Sequence, residues 1–371
     1  MLKTSTISME VISTSDADKW NRVVKGFPHW DIYYLCEYAC SLEIHGDGEG
    51  YLIHFSYNDV SMSCNDEQKW CELCYVVMKR DISEDTRFSK TLPRGEWFDL
   101  ETPYGYGGFL LQGTFSEHVR QAFENEMINY ARENKIVSQF VRFYPVYRND
   151  IPYSKLTHSR VKYLKDTIYI DTTNEDGIMQ QMDSKNRNMV RKAMKSGITI
   201  FHDKGKHLDE FIRIYEDTMD NNEASSYYYF ERPYYEYLMT NMRENIEFFY
   251  SVYKNKIIGA AIFFYNEEFM HYHLSGMYME YRPMAATNLL LYEAARWANK
   301  NGIRLLHLGG GIEAEDSLFG FKKQFNKNGR LPFYVGRTIF DEATYQNLLT
   351  VRKQADRDFD ENNEFMIQYR R

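Results

Sequence analysis

The sequence predicts an α+β protein built from two domains, and three observations carry that expectation. At 371 residues the chain exceeds the ~250–300 residues over which one hydrophobic core keeps growing. Helical and strand-like periods alternate along it with no low-complexity linker and no repeat. In the second half three strand-like runs follow one another directly, then one helix and one further strand. That is an antiparallel meander with a crossover, unlike the strict βαβ alternation of a doubly wound sheet.

The first domain is expected at residues 1–165. Helices at 16–25 and 31–40 lead to strands at 50–57 and 71–79, joined by a polar, turn-rich connection at 58–68. Pro103 and three glycines force a loop over 97–109. Ser116 is placed to cap a helix over 116–134, and a strand at 136–144 follows. The second domain is expected at residues 166–371. A strand at 167–171 ends at Thr172 or Thr173, either of which can cap the next helix. Helices at 175–183 and 184–195 stop at Gly197. A strand at 198–202, helices at 208–220 and 232–241, and tandem strands at 246–254, 256–265 and 269–276 come next. A helix at 285–300, a strand at 303–308, a triglycine, a short helix at 317–325, a strand at 333–340 and a helix at 342–356 complete the pattern. The acidic tail beyond Asp356 reads as frayed.

Composition narrows the function classes. A 43% hydrophobic and 26% charged chain is ordinary for a soluble globular protein, and its apolar runs are strand-sized, short of the ~20 residues a membrane helix needs. With no signal-like segment at the N-terminus, a cytoplasmic location is expected. A formal charge of −8 argues against general nucleic-acid binding, though not against a local basic site. Five cysteines (Cys36, Cys40, Cys64, Cys71, Cys74) suit free thiols. Cys71 and Cys74 have the spacing of a metal knuckle but lie on a strand, where odd separation sends the two sulfurs to opposite faces. No metal site is expected. The 31 Tyr and 24 Phe fit either half-buried filling or a cleft lined with amphipathic rings.

Several groups are candidates for chemistry. Arg187, Arg191 and Lys195 fall at i, i+4 and i+8, one row on a helix whose opposite face is Met189, Val190, Ala193 and Met194. Like charges so spaced cost a few tenths of a kcal/mol per pair. An anionic partner would offset that, and a solvated basic face is the ordinary alternative. Gly309-Gly310-Gly311 after a strand permits close approach of a ligand or another backbone. His271 and His273 share a strand face and can accept a proton, or be satisfied by strand neighbours; Glu313, Glu315 and Asp316 are weaker bases. In the run Ser225–Tyr235, Tyr228 offers a ring to stack on a sugar or base and Arg232 a charge for phosphate. Tyr104 and Tyr106, in the first domain's glycine-rich loop, are further candidates, with packing between domains as the alternative.

Three strings narrow the reading further. Ser184-Lys-Asn-Arg-Asn-Met-Val-Arg-Lys-Ala-Met-Lys-Ser-Gly197, the stretch from Tyr281-Arg-Pro-Met-Ala-Ala-Thr-Asn288 through Asn301-Gly302, and His307-Leu-Gly-Gly-Gly with Ser317-Leu-Phe-Gly-Phe-Lys-Lys-Gln-Phe325 resemble, in that order, segments of the FemABX-like branch of the GNAT acyltransferases. Asp99-Leu-Glu-Thr-Pro-Tyr-Gly-Tyr-Gly-Gly108 fits the same group. The resemblance implies two GNAT-like domains with mixed, largely antiparallel sheets and an acceptor in the cleft between them. It implies transfer of an acyl or aminoacyl group onto an amine of a cell-envelope precursor, peptidoglycan or surface polysaccharide, the anionic partner being a nucleotide sugar or lipid-linked and charged tRNA a further one.

It also assigns residues. Arg282-Pro-Met-Ala-Ala-Thr-Asn288 corresponds to the loop that presents backbone N–H groups to a donor's pyrophosphate at a helix N-terminus. Arg282 is kept, but Ala285 and Thr287 stand where glycines would be, so Arg282, Ala285, Ala286, Thr287 and Asn288 are donor-binding candidates for a donor left open between aminoacyl-tRNA and acyl-CoA, with no tightly bound cofactor. Phe321 and Lys322 match a pair linked to the donor end and the developing charge, where a lysine stabilises an oxyanion; Lys323 is the fallback. His273 completes the catalytic set. The alternatives are a CoA-dependent N-acyltransferase for an amino sugar and a non-catalytic GNAT scaffold that binds a nucleotide sugar or lipid phosphate.

Overall fold

The computed structural model of the protein describes residues 5–59 and 70–371; Cys64, the first four residues and the body of the connection at 58–68 lie outside them. In chain order come β1 (Thr6–Ser13), α1 (Ala17–Lys25), α2 (Cys36–His45), β2 (Glu49–Asn58), β3 (Trp70–Asp81), β4 (Phe98–Glu101) and β5 (Leu110–Gly113). Then follow α3 (Glu117–Glu133), β6 (Ile136–Arg142), α4 (Asp150–Tyr153), β7 (Ser159–Asp171), α5 (Glu175–Gln181), α6 (Ser184–Lys195) and β8 (Thr199–Asp203). Next are α7 (Leu208–Asn221), α8 (Arg232–Asn241), β9 (Ile246–Tyr253), β10 (Lys256–Tyr265), β11 (Phe269–Met277) and α9 (Ala286–Lys300). Last come β12 (Leu305–Gly309), α10 (Ser317–Lys323), β13 (Arg330–Ile339) and α11 (Glu342–Ala355).

These elements form two units, one of Met1–Tyr163 with Tyr334–Arg371, the other of Leu164–Phe333. Each follows one plan. In the first unit the sheet order is β1-β2-β3-β4-β6-β13, with β5 paired to β3; in the second it is β7-β12-β11-β10-β9-β8. Pairing is antiparallel except between β4 and β6 and between β11 and β12. Each parallel pair is joined by a crossover containing a long helix, α3 or α9, as parallel neighbours require. Both units are thus α+β with mixed, largely antiparallel sheets.

Local chemistry sets the helix ends. The Ser116 hydroxyl caps α3 by accepting from the Val119 N–H, and the Asp183 carboxylate caps α6 from the Asn186 N–H at 2.7 Å. Gly197 follows α6 at φ +80°, a left-handed position that glycine adopts without strain. On β11, a Cβ at Gly276 would lie 2.5 Å from the Ile214 carbonyl oxygen; its absence lets α7 press against the strand.

Several expectations are corrected. The expected helix at 31–40 is broken at Leu35, whose ψ of 145° is extended, so a short turn precedes α2 instead. The loop expected over 97–109 contains β4, because Phe98–Glu101 pairs with both β3 and β6. Asn174, not Thr172 or Thr173, caps α5; Thr172 is buried and donates to the Ile303 carbonyl at 2.6 Å. Met194 is 43% exposed, so the packed face of α6 is Asn186, Val190 and Ala193 with Met189. Cys71 and Cys74 are both buried because β3 is covered on both faces.

The largest correction concerns the C-terminus. Residues 166–371 are not one domain, because the second half of β13 pairs with β6, from Val335 with Arg142 to Ile339 with Ser138. The tail beyond Asp356 is docked, not frayed. Phe359, Ile367 and Tyr369 are buried with Ile82, Phe88 and Val137. The Arg370 guanidinium grips Asp99, Nε to Oδ2 at 2.8 Å and Nη2 to Oδ1 at 2.9 Å, while Nη1 reaches Asp85 at 2.9 Å.

Candidate active site

The second unit sets Lys322 and the triglycine beside a fork in its sheet, with His273 further along one of the parting strands. β11 and β12 pair from Phe269 and Leu305 to His271 and His307. Beyond that point β11 continues to Met277, while β12 ends at Gly309, which adopts φ +71°, and the two strands part. His271 and His307 flank the end of the pairing with rings 5.7 Å apart and nearly perpendicular. The Thr167 hydroxyl on β7 lies 2.9 Å from His307 Nε2. Burial, then His271 and Lys322, hold His307 well below the usual imidazole range, so it is neutral.

The triglycine leaves the fork as a braced loop. A Cβ at Gly310 would lie 2.9 Å from the Asp166 carbonyl oxygen, and one at Gly311 only 2.0 Å from Asp316 Oδ1. The close approach anticipated for this stretch is filled by the chain's own groups. Asp316 accepts from the N–H groups of Ile312 (2.7 Å), Glu313 (3.0 Å) and Phe319 (2.7 Å), so one carboxylate ties the loop and caps α10.

Lys322 projects from α10 to this loop. It is 8% exposed, and its Nζ donates to the Gly310 carbonyl at 2.7 Å. The Tyr272 ring lies 5.8 Å from Nζ. Burial, then the neighbouring Lys165, push Lys322 down to about 7 against the opposing pull of Asp316. Phe321 packs on the core and meets Phe325 edge-on at 5.4 Å, so of the pair only the lysine carries polar chemistry.

His273 lies on β11 opposite a bulge at Ile262/Phe263. Its ring stacks on Phe264 at 4.1 Å, and Nε2 is 3.0 Å from the Tyr234 hydroxyl. Burial, then His271, depress it to about 3. An imidazole that weakly basic is a poor proton acceptor near neutrality, which counts against the catalytic part expected of it.

A second cluster forms where α6 packs on α9. The Asn288 amide donates to Asn186 Oδ1 at 2.7 Å, both side chains being buried, and Lys192 Nζ donates to the Pro283 carbonyl at 2.7 Å. The basic helix and the stretch Arg282–Asn288 are thereby brought together. Ala285 takes φ +60°, the left-handed turn a glycine would take, and no side chain caps α9. Ala286 is buried, Arg282 exposed, and Thr287 Oγ1 lies 3.4 Å from Met277 Sδ. Arg191 and Lys195 are exposed on α6, whereas Arg187 donates to the Met182 carbonyl at the end of α5.

Other predicted residues lie apart. Arg232 is held by Asp209 and by Glu236 at 3.5 Å, which lowers its availability to phosphate. Tyr228 is exposed beside Tyr227. In the first unit the Tyr104 ring lies 6.0 Å from the Arg142 guanidinium, and Tyr106 packs between Tyr33 and Tyr144. That unit also holds a cavity of about 310 Å³ between α3 and β13, lined by none of the predicted residues. Lys165, Thr167 and Tyr234 escaped the sequence reading. Lys165 and Thr167 lie on the run into a strand, where nothing distinguishes a site residue from a sheet residue, and Tyr234 sits in a tyrosine run that offered exposed rings first.

Comparison with known proteins agrees with this layout. Residues 184–323 match the family model described as Acetyltransferase (GNAT) domain. No curated protein sequence matches the chain. The structure of FemX is similar at TM-score 0.63 and 15% identity, over 92% of this chain and 99% of that one. A tandem GNAT protein from the clavulanic acid biosynthesis pathway is similar at TM-score 0.51 and 10% identity, over 89% and 98%. The C-terminal domain of a putative lysylphosphatidylglycerol synthetase from Agrobacterium fabrum is similar at TM-score 0.51 and 11% identity, over 91% and 94%.

Proposed function

We propose that this chain, a GNAT acyltransferase with the fold of the FemX-like branch, moves an acyl or aminoacyl group onto an amine of a cell-envelope precursor. The observation that carries the reading is the fork between β11 and β12, with Lys322 buried beside it on the Gly310 carbonyl. Amide formation needs a held donor, a polarised carbonyl and a deprotonated amine brought to within reacting distance. Where two strands part, the backbone edges that face the gap can hydrogen-bond an extended ligand that carries amide or carbonyl groups. Lys322 supplies the polar head at that point. The uncapped start of α9, with Arg282 and the exposed Arg191 and Lys195 nearby in sequence or along α6, suits a donor or acceptor that carries phosphates.

The donor divides the reading in two. Transfer from aminoacyl-tRNA follows from the FemABX-like strings and from the missing glycines. Transfer from acyl-CoA is favoured by one observation: Ala285 keeps the left-handed backbone of the glycine it replaces, so the turn itself is retained. Titrating the protein with acetyl-CoA and separately with charged tRNA distinguishes them, and tight CoA binding with none to tRNA removes the tRNA reading. With the donor known, Lys322→Met is expected to lower transfer by about 10²–10³-fold, the scale of losing one preorganised donor. Transfer that persists undiminished in this variant would leave a scaffold whose fork is not catalytic.

A further inference from the structure

The first unit holds a cavity for which acyl transfer at the fork has no use. Its roof is α3, which turns Phe123 and Met127 inward, and its floor is the sheet, with Tyr75 on β3, Gln139 on β6 and Thr338 on β13. At about 310 Å³ it is roughly twice the ~150 Å³ that lets an engineered apolar cavity take up benzene, so two fused rings match its size. The polar groups in this largely apolar lining differ in how they are satisfied. The Tyr153 and Thr338 hydroxyls bond each other at 2.6 Å. Gln139 is 2% exposed, and its Oε1 is met only by the Tyr75 hydroxyl at 3.4 Å, a hydroxyl that lies as far, 3.4 Å, from Met127 Sδ. Gln139 Nε2 donates to no described residue. A buried amide left without a partner costs free energy, and native interiors rarely keep one. Its N–H groups require an acceptor inside the cavity.

The rim adds a charge. Glu124 is matched by Arg120 and receives the Thr157 hydroxyl at 3.1 Å. Glu342, at the start of α11, is exposed and makes no ion pair among the described residues; its Oε1 accepts from Gln346 Nε2 at 2.8 Å. We propose that this cavity is a binding site for an aromatic molecule of about two rings, without negative charge, whose hydroxyl or carbonyl oxygen accepts from Gln139 Nε2. Phe123 and Tyr153 offer ring faces and edges to such a ligand, and Met127 a polarisable sulfur. The unmatched Glu342 carboxylate disfavours carboxylates and phosphates, which separates this ligand chemically from the phosphate-bearing molecules considered for the second unit. The site is independent of the acyl-transfer reading and is tested without it.

Three probes of one shape, 2-naphthol, naphthalene and 2-naphthoate, make the test. In the full chain labelled with ¹³C at the methionine methyls, the Met127 and Met182 signals are assigned by their loss in Met127→Leu and Met182→Leu. Saturable movement of Met127 on adding 2-naphthol is expected, with Met182, in the core of the second unit, staying in place. Gln139→Met keeps the side chain's length and removes the amide. It should weaken 2-naphthol about tenfold, the scale of one hydrogen bond lost in a buried site, and leave naphthalene within about twofold of its wild-type affinity. 2-Naphthoate should leave Met127 unmoved. A Met127 signal that none of the probes shifts overturns the proposal. So does an equal loss for 2-naphthol and naphthalene in Gln139→Met, or 2-naphthoate binding as tightly as 2-naphthol. Should Gln139→Met fail to fold, the wild-type protein still decides, through Met127 against Met182 and through 2-naphthol against 2-naphthoate.

Discussion

Replacing Arg370 with Met removes the main partner of a buried carboxylate while keeping most of the side chain's length. Asp99 is 1% exposed and receives Arg370 through two nitrogens, Arg80 Nε at 2.9 Å and the Tyr369 hydroxyl at 2.9 Å. Burial alone would raise the Asp99 pKa, but Arg370 and then Arg80 outweigh it and hold the carboxyl at about 2. Against an ordinary aspartate near 3.9, that gap corresponds to about 2.5 kcal/mol of folding stability at neutral pH. Breaking one side of a buried pair costs about 3–5 kcal/mol. Because Arg80 and Tyr369 remain, the lower end, about 3 kcal/mol, is expected. The pH dependence has a definite sign. A carboxyl depressed in the folded state stabilises above its unfolded pKa and loses that contribution as pH falls through the folded value. The wild-type protein should therefore lose stability between about pH 4 and 2, and Arg370→Met should lose much less over the same interval. Urea unfolding by tryptophan fluorescence is a suitable assay, since Trp20, Trp30, Trp70 and Trp97 lie in the first unit and Trp297 alone in the second. A loss under about 1 kcal/mol, the value of an exposed ion pair, would refute the tail's role as a structural anchor.

Further outcomes follow from the second unit. Gly276→Val should destabilise it by about 2–3 kcal/mol or more, because the new side chain meets the Ile214 backbone of α7; an unchanged unfolding midpoint would mean that α7 does not seat there. Asn288→Ala leaves the Asn186 side chain buried without its bond, at a cost of about 1–3 kcal/mol, checked by denaturant unfolding and refuted by a neutral effect. Gly311→Ala should disorder the loop that positions Lys322, seen as loss of transfer at nearly unchanged global stability; full activity would exclude the bracing by Asp316. Arg191→Gln should weaken pyrophosphate or tRNA binding by about 1–3 kcal/mol for a lost charged hydrogen bond, and an unaltered affinity by calorimetry would remove the basic row from the site.

The sequence made the second unit legible and the first one much less so. The meander of β9, β10 and β11, the long α9 and the short α10 announce themselves by period and by glycine. The Lys322 position could be singled out through its string, whereas its surroundings could not. Lys165 looks like any polar residue at a strand start until the fold carries it to the Gly311 carbonyl, and local periodicity holds no information on such a meeting. The tail misled for a related reason. Residues 356–371 are acidic and have little apolar periodicity, yet three of their apolar side chains and Arg370 find burial sites supplied by Ile82, Val137 and Asp99. Polar composition predicts disorder only when no distant pocket exists to receive it.

The placement of β13 and the tail also bears on how the protein is made. Leu164–Phe333 is continuous in sequence, while the unit around it is assembled from Met1–Tyr163 and Tyr334–Arg371. During synthesis the inserted unit can complete its core as soon as its own last strand has left the ribosome. The surrounding unit cannot: β6 waits for β13, and Asp99 waits for Arg370, the penultimate residue of this sequence. Vectorial synthesis thus orders the two halves, with the domain carrying Lys322 finished before the one that encloses it in sequence. A chain interrupted just after Phe333 would carry the formed fork beside a host sheet that still lacks its β6–β13 pairing.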